Sequence, residues 1–241
     1  MIRRAAQLAF VALSFVGFLT AVLLAFVIVI YVFIATLHRT GLIASASAAE
    51  VAPPPERIVV PATSYLYRFK LQREVVARFG EPSSLARIAA QVHQESLWRA
   101  DARSPYAEGL AQFTPATGAW LSKDVCPEIG PPDPWSADWS VRAVVCYDAW
   151  LYARVADAAT PCDRWAFAFG SYNGGLANLQ RDQRRASAKG ADPARWFDHV
   201  ERFSARARWA FVENRNYVRR ILTLLEPAYL AAGWSGTAVC A

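Results

Sequence analysis

Among the 241 residues of this chain, the carboxylate best placed to do chemistry is that of Glu95. Ile88, Val92 and Glu95 recur at i, i+4 and i+7, the spacing of one helix face, so Glu95 ends an apolar stripe. A carboxyl in that position is short of water. Desolvation disfavours its charged form, raises its pKa and fits it to act as a general acid near neutral pH. Taken alone, the same spacing also describes a Glu that caps or pairs at a helix end. Trp209, Glu213 and Tyr217 form a second cluster, repeating every fourth residue so that one helix face carries two aromatics with a carboxylate between them. A packing face with Glu213 paired to an arginine reads that pattern equally well. Cys126, Cys146, Cys162 and Cys240 show neither a Cys-x-x-Cys pair nor matching His spacing, so a metal centre is not expected.

The elements that must carry these residues are helices. Ser83-Ser84 after Pro82 marks a helix start, followed by Leu85, Ile88, Ala89, Val92 and Ser96 at helical spacing. Further helical patterns run over about 140–156, 163–171 and 205–225, separated by turns containing Pro and Gly. Strand-like alternation is almost absent. The expected fold class is mainly α.

Ahead of this domain, Ala5 to Leu37 holds no charged residue and is apolar all the way round, longer than the roughly 20 residues needed to span a bilayer. We expect one N-terminal transmembrane helix within an anchor at 1–43. The alternative is a cleaved signal peptide, with Arg3-Arg4 as its basic start and Ala46-Ser47-Ala48 as its cleavage site; its apolar core would be unusually long. An Ala/Ser/Pro-rich stalk at 44–64, stiffened by Pro53-Pro54-Pro55, leads to a catalytic domain at 65–241. Both readings export the domain. The first expects a single-pass inner-membrane protein with its domain in the periplasm. All four cysteines follow the apolar run, where an oxidising compartment lets them pair. Their order suggests Cys126 with Cys146 and Cys162 with Cys240, although three pairings are open.

The net charge of +6 does not argue for nucleic acid. The first 49 residues hold three arginines and no acid, which leaves 23 basic against 20 acidic residues beyond them. The densest remaining basic cluster, Arg181, Arg184, Arg185 and Lys189, reads as a solvated loop. No nucleic-acid motif is present.

Four short motifs occur in order: Gln94-Glu95-Ser96, Gly109-Leu110-Ala111-Gln112, Ser171-Tyr172-Asn173-Gly174-Gly175, and Glu213 with Tyr217. Together they resemble the soluble-lytic-transglycosylase-type (SLT) domain over roughly residues 81–225, and so imply the lysozyme-like fold shared with goose-type muramidases. The resemblance implies cleavage of the β-1,4 bond between N-acetylmuramic acid and N-acetylglucosamine in peptidoglycan glycan strands, without metal or cofactor. Glu95 would be the single catalytic acid/base, protonating the glycosidic oxygen and then taking the proton of the muramic acid 6-hydroxyl to leave a 1,6-anhydro end. No second carboxylate is then needed to activate water, unlike in paired-acid glycosidases. Ser96, Gln112, Tyr172, Asn173, Glu213 and Tyr217 match the family's substrate-side positions. Tyr172 would lie near the acid, Asn173 would orient the substrate or its loop, Glu213 would support the site and Tyr217 would border it.

Ser104-Pro105-Tyr106-Ala107-Glu108-Gly109-Leu110-Ala111-Gln112 departs from the family's pattern by being one residue shorter, lacking the first Gly and carrying Ala111 in place of Met. Two rival readings share the fold: a goose-type muramidase that hydrolyses with water, and a binding or scaffold protein without activity. Nine tryptophans invite sugar stacking, and most are expected in the core.

Overall fold

The computed structural model describes residues 27–36, 58–80 and 84–240. The chain divides into two units, Met1–Glu56 and Arg57–Ala241. In the first, residues 27–36 form a helix (α1) with exposed side chains. Most of the expected membrane span and stalk lies outside the described residues. Among those described, no helix is long and apolar enough to cross a membrane.

The second unit is built from α2 (Ser64–Phe79), α3 (Leu85–Ser96), α4 (Pro115–Trp120), α5 (Ala137–Arg154), α6 (Pro161–Gly174), α7 (Leu176–Ala188), α8 (Arg208–Arg219) and α9 (Glu226–Ala231). No strand occurs among the described residues, only isolated bridges at Arg103, Glu108 and Phe113. The mainly helical expectation holds. The helix expected over 205–225 is in fact α8 followed by a π-helical turn, Arg220–Leu225, that feeds directly into α9. The basic cluster read as a loop lies instead on and just after α7, with Lys189 as the residue that ends it.

Helix starts follow local chemistry. Thr160 precedes Pro161 and its hydroxyl accepts the Asp163 N–H at 3.1 Å; Ser136 accepts the Trp139 N–H at 3.3 Å. α3 begins differently, because Ser84 makes no side-chain cap. Its first turn is met by a segment far along the chain: Ala86 N–H donates to the Ser235 carbonyl and Arg87 Nη2 to the Thr237 carbonyl, both at 3.0 Å. A disulfide between Cys162 and Cys240 fastens that segment to α6, and a second joins Cys126 to Cys146, the pairing that the order of the cysteines suggests.

α3 is the central helix, with Leu85, Ile88, Ala89 and Val92 fully buried. It packs against α2, the π-helical turn and α9; α5 packs on α2 and α6, and α6 on α7 and α8. Leu71 and Val75 of α2, Val144 and Leu151 of α5, Phe167 and Phe169 of α6, and Ile221 and Leu225 complete the core. Trp98, Trp139, Trp165, Trp196 and Trp234 are buried, as expected of most tryptophans, whereas Trp135 and Trp209 are exposed. Burial of each large side chain contributes on the order of 2 kcal/mol. On the outer face of α2, Leu66 and Phe69 are 77% and 74% exposed.

Candidate active site

Glu95 stands in the last turn of α3, half-buried, one turn beyond the fully enclosed Gln91. Immediately after Ser96 the chain turns sharply. Leu97 and Trp98 take left-handed φ values of 55° and 63°, a conformation that costs non-glycine residues of order 1 kcal/mol each. The turn leaves Leu97 in solvent and swings Trp98 into the core, where its indole N–H donates to the Tyr229 hydroxyl. The helix therefore stops one residue past Glu95, and the carboxylate is presented at its open end.

The segment Ser104–Gln112 folds across this end. Ser104 Oγ accepts the Ala107 N–H at 3.0 Å, and Gly109 N–H donates to the Ala102 carbonyl at 2.8 Å. Gly109 has φ of 75°, and a Cβ there would sit 1.7 Å from the Pro134 carbonyl oxygen, so glycine is required for both reasons. Two side chains grip the next two carbonyls: Ser96 Oγ donates to Leu110 O at 2.7 Å and Tyr172 Oη to Ala111 O at 2.8 Å. Gln112, at φ of 50°, turns its amide nitrogen onto the carbonyls of Gly109 and Ala102 at 2.9 and 3.1 Å. The loop's shape is thus fixed by Ser96, Tyr172 and Gln112 acting on backbone. The small Ala111, where the family carries Met, is buried.

From the other side, α6 ends with Tyr172, Asn173 and Gly174, and α8 crosses it. Asn214 Nδ2 donates to Gly170 O and to Asn173 Oδ1, each at 2.9 Å, while Asn173 Nδ2 reaches Glu213 Oε1 at 3.4 Å. Arg206 and Arg215 both donate to Asn214 Oδ1 and both pair with the buried Asp182, tying α8 to α7. The face bearing Trp209, Glu213 and Tyr217 is graded: Trp209 is 70% exposed, Glu213 is exposed and Tyr217 is buried. At its buried end Tyr217 Oη donates to Glu95 Oε1 at 2.5 Å.

Electrostatics follow from this enclosure. Burial pushes the Glu95 carboxyl up to about 8; the Tyr217 hydrogen bond opposes that rise and the charge of Glu213 adds to it. Tyr172 and Tyr217 are both held well above the usual phenol range, first by burial and next by the charge of Glu95. A carboxyl raised towards neutral pH keeps a substantial protonated fraction there, a donor able to give its proton to an ether oxygen.

Of the residues singled out in the sequence, the structure brings Glu95, Tyr172, Tyr217, Glu213 and Asn173 together. Ser96 and Gln112 are adjacent but spend their hydrogen bonds on the loop. Sequence reasoning missed Asp148 of α5, fully buried and hydrogen-bonded by Gln91, along with its neighbour Tyr147, which packs on Tyr172 at 5.1 Å between ring centroids. One signal was available: Gln91 is polar, yet it lies four residues before Glu95 on the same apolar face.

This constellation puts a shielded Glu at the end of a core helix with a Gly-Leu-x-Gln loop pinned beside it. The chain belongs to the transglycosylase SLT domain family, whose model matches residues 73–194. It is 30% identical over 156 residues to the membrane-bound lytic murein transglycosylase F of Vibrio campbellii, covering 60% of this chain and 28% of that protein. The proteins of the same name from Shewanella frigidimarina and Marinobacter nauticus are 32% and 34% identical over 113 and 115 residues, covering 46% and 47% of this chain and 22% and 21% of theirs. The chain thus spans between about a fifth and little more than a quarter of the length of the curated relatives it matches. Glu213 and Tyr217 lie beyond the family match, and it is the structure that joins them to Glu95.

Proposed function

We propose that this chain is a peptidoglycan lytic transglycosylase with a lysozyme-like catalytic domain and that Glu95 is its catalytic acid and base. The observation that carries the reading is the half-buried Glu95 carboxyl, raised to about 8 and oriented by the Tyr217 hydroxyl. With a glycan strand across the open end of α3, the Glu95 proton passes to the oxygen linking N-acetylmuramic acid to N-acetylglucosamine. The bond from that oxygen to the muramic C1 breaks. The 6-hydroxyl of the same sugar then attacks C1 while the Glu95 carboxylate takes its proton, closing the 1,6-anhydro ring and restoring the acid. No water is consumed. Tyr217 holds Glu95 through both protonation states, its hydroxyl donating more strongly to the ionised one. Tyr172 with Ser96 fixes the loop wall, and Asn173 and Glu213 line the exposed side where the strand would lie.

A hydrolytic reading has one observation in its favour: Glu213 is an exposed carboxylate close enough to raise the pKa of Glu95, and it could activate a water. Mass spectrometry of muropeptides released from purified peptidoglycan separates the two. Anhydromuramyl products that vanish in Glu95→Gln are expected. Reducing ends that vanish in Glu213→Gln would establish hydrolysis, and no release at all would refute both.

The same proposal includes an anchor at 1–43, a stalk at 44–64 and a periplasmic catalytic domain from residue 65. It is supported by the uncharged run Ala5–Leu37, by the membrane-bound relatives and by the solvent-facing Leu66 and Phe69 on the first helix after the stalk. Alkaline extraction should leave the full-length chain with the membrane. Full-length chain in the soluble fraction would overturn the anchor.

A further inference from the structure

Behind Glu95 lies a second carboxyl that the reaction proposed above does not use. Asp148 of α5 is wholly enclosed, and its Oδ1 accepts a 3.2 Å hydrogen bond from Nε2 of the equally enclosed Gln91. The two remaining atoms of the pair, Asp148 Oδ2 and Gln91 Oε1, have no hydrogen-bond partner. While Asp148 is ionised both are acceptors, so an ionised Asp148 leaves two buried oxygens unanswered and a buried charge without a cation. A proton on Oδ2 changes this. A side-chain amide facing a carboxylic acid makes two opposed hydrogen bonds, N–H to carbonyl one way and O–H to carbonyl the other, and answers both orphan atoms at once.

The titratable groups whose charge acts on or feels Asp148 are Glu95 from α3, Tyr147 from α5 itself, Tyr172 from α6 and Tyr217 from α8, and α2, which also packs on α5, adds none to them. All are acids. Burial holds the Asp148 carboxyl well above the usual range; the Gln91 hydrogen bond opposes this and the charge of Glu95 adds to it.

We propose that Asp148 is a resident neutral acid, joined to Gln91 by a two-way hydrogen-bonded pair, that positions the Glu95 helix and keeps a second negative charge out of the site. Asp148 is a positioning residue: it clamps α5 to α3 one turn below Glu95 and leaves Glu95 as the carboxyl that changes charge near neutral pH. The kinetic part of this inference rests on the proposed transglycosylase reaction; the protonation state does not.

The test is infrared spectroscopy of the full-length protein carrying 13C-labelled aspartate carboxyls, at pH 7. A labelled carbonyl band of a protonated carboxyl is expected in the wild type and in Glu95→Gln, and is expected to be lost in Asp148→Asn. A folded wild type without that band would overturn the proposal. On peptidoglycan, Asp148→Ala should lower kcat/KM by on the order of 10- to 100-fold through a displaced Glu95, and Asp148→Asn, which still donates to Gln91 Oε1, should recover most of that loss. The upper limb of the pH profile should stay in place in Asp148→Asn. A downward move of that limb would mean that a negative charge had been removed, and would overturn the neutral assignment. If wild type releases no muropeptides, the transglycosylase reading fails while the infrared result still decides Asp148.

Discussion

Replacing Glu95 by glutamine measures how much folding stability is tied to keeping that acid uncharged. A carboxyl moved from its ordinary 4.5 to about 8 differs by about 5 kcal/mol between its two protonation states. The side chain is only half-buried, so solvent relieves part of this and about 2–3 kcal/mol is expected. The sign follows from proton binding. The folded protein holds the Glu95 proton more tightly than the unfolded chain, so the contribution of Glu95 is fully present below about pH 4.5, is lost as pH rises towards 8, and is constant above that. Glutamine has no proton to lose. Urea unfolding of both proteins at pH 4 and pH 9 should therefore show Glu95→Gln gaining on wild type by about 2–3 kcal/mol at the higher pH. Glu226, whose carboxyl is also raised by burial but not by the charge of Glu95, is present in both proteins and cancels in the comparison. The reasoning is refuted if the gap between the two proteins is the same at both pH values, or is wider at pH 4.

Three further outcomes are expected. Tyr217→Phe removes the hydroxyl that favours ionised Glu95, so the upper limb of the kcat/KM–pH profile should move up by about one pH unit, with a lower maximum. Gly109→Ala combines a left-handed φ with a clash against the Pro134 carbonyl; thermal unfolding should report a loss of about 3 kcal/mol or more, with activity reduced through the displaced loop. Removing the Cys162–Cys240 bridge, which closes a separation of 78 residues, should cost about 4 kcal/mol, against about 3 kcal/mol for Cys126–Cys146 with its separation of 20, as read by calorimetry of the two double Cys→Ser variants.

The parts of the molecule legible in the sequence are those with strong local signals. The stripe Leu85, Ile88, Val92 gave α3 and placed Glu95 at its end, and the patterns over about 140–156 and 163–171 fell within three residues of the bounds of α5 and α6. α2 escaped because its buried positions are few, Ser64, Leu71 and Val75, while Leu66 and Phe69 face outward and blur the stripe. α7 escaped for the same reason, with only Leu179, Asp182 and Ala186 buried among its arginines. The hydrogen bond that defines the site spans 122 residues between Tyr217 and Glu95, and the one beneath it spans 57 between Gln91 and Asp148. No local periodicity encodes such pairings. They arise only when α8 and α5 pack beside α3, and the motif order gave Tyr217 a place near the site without giving it a partner.

The way α3 begins has a consequence for the order in which the domain is completed. The helix that carries Glu95 is met at its first turn by the carbonyls of Ser235 and Thr237, the latter 150 positions after Arg87. A ribosome that has just made α3 must therefore add nearly the whole remaining domain before those partners exist, and the clasp that keeps them in place closes only where thiols are oxidised. While the chain is still growing, or while its thiols are still reduced, the start of the Glu95 helix lacks its covalently secured partner. With the export proposed above, the complete arrangement would form only after the domain reaches an oxidising compartment.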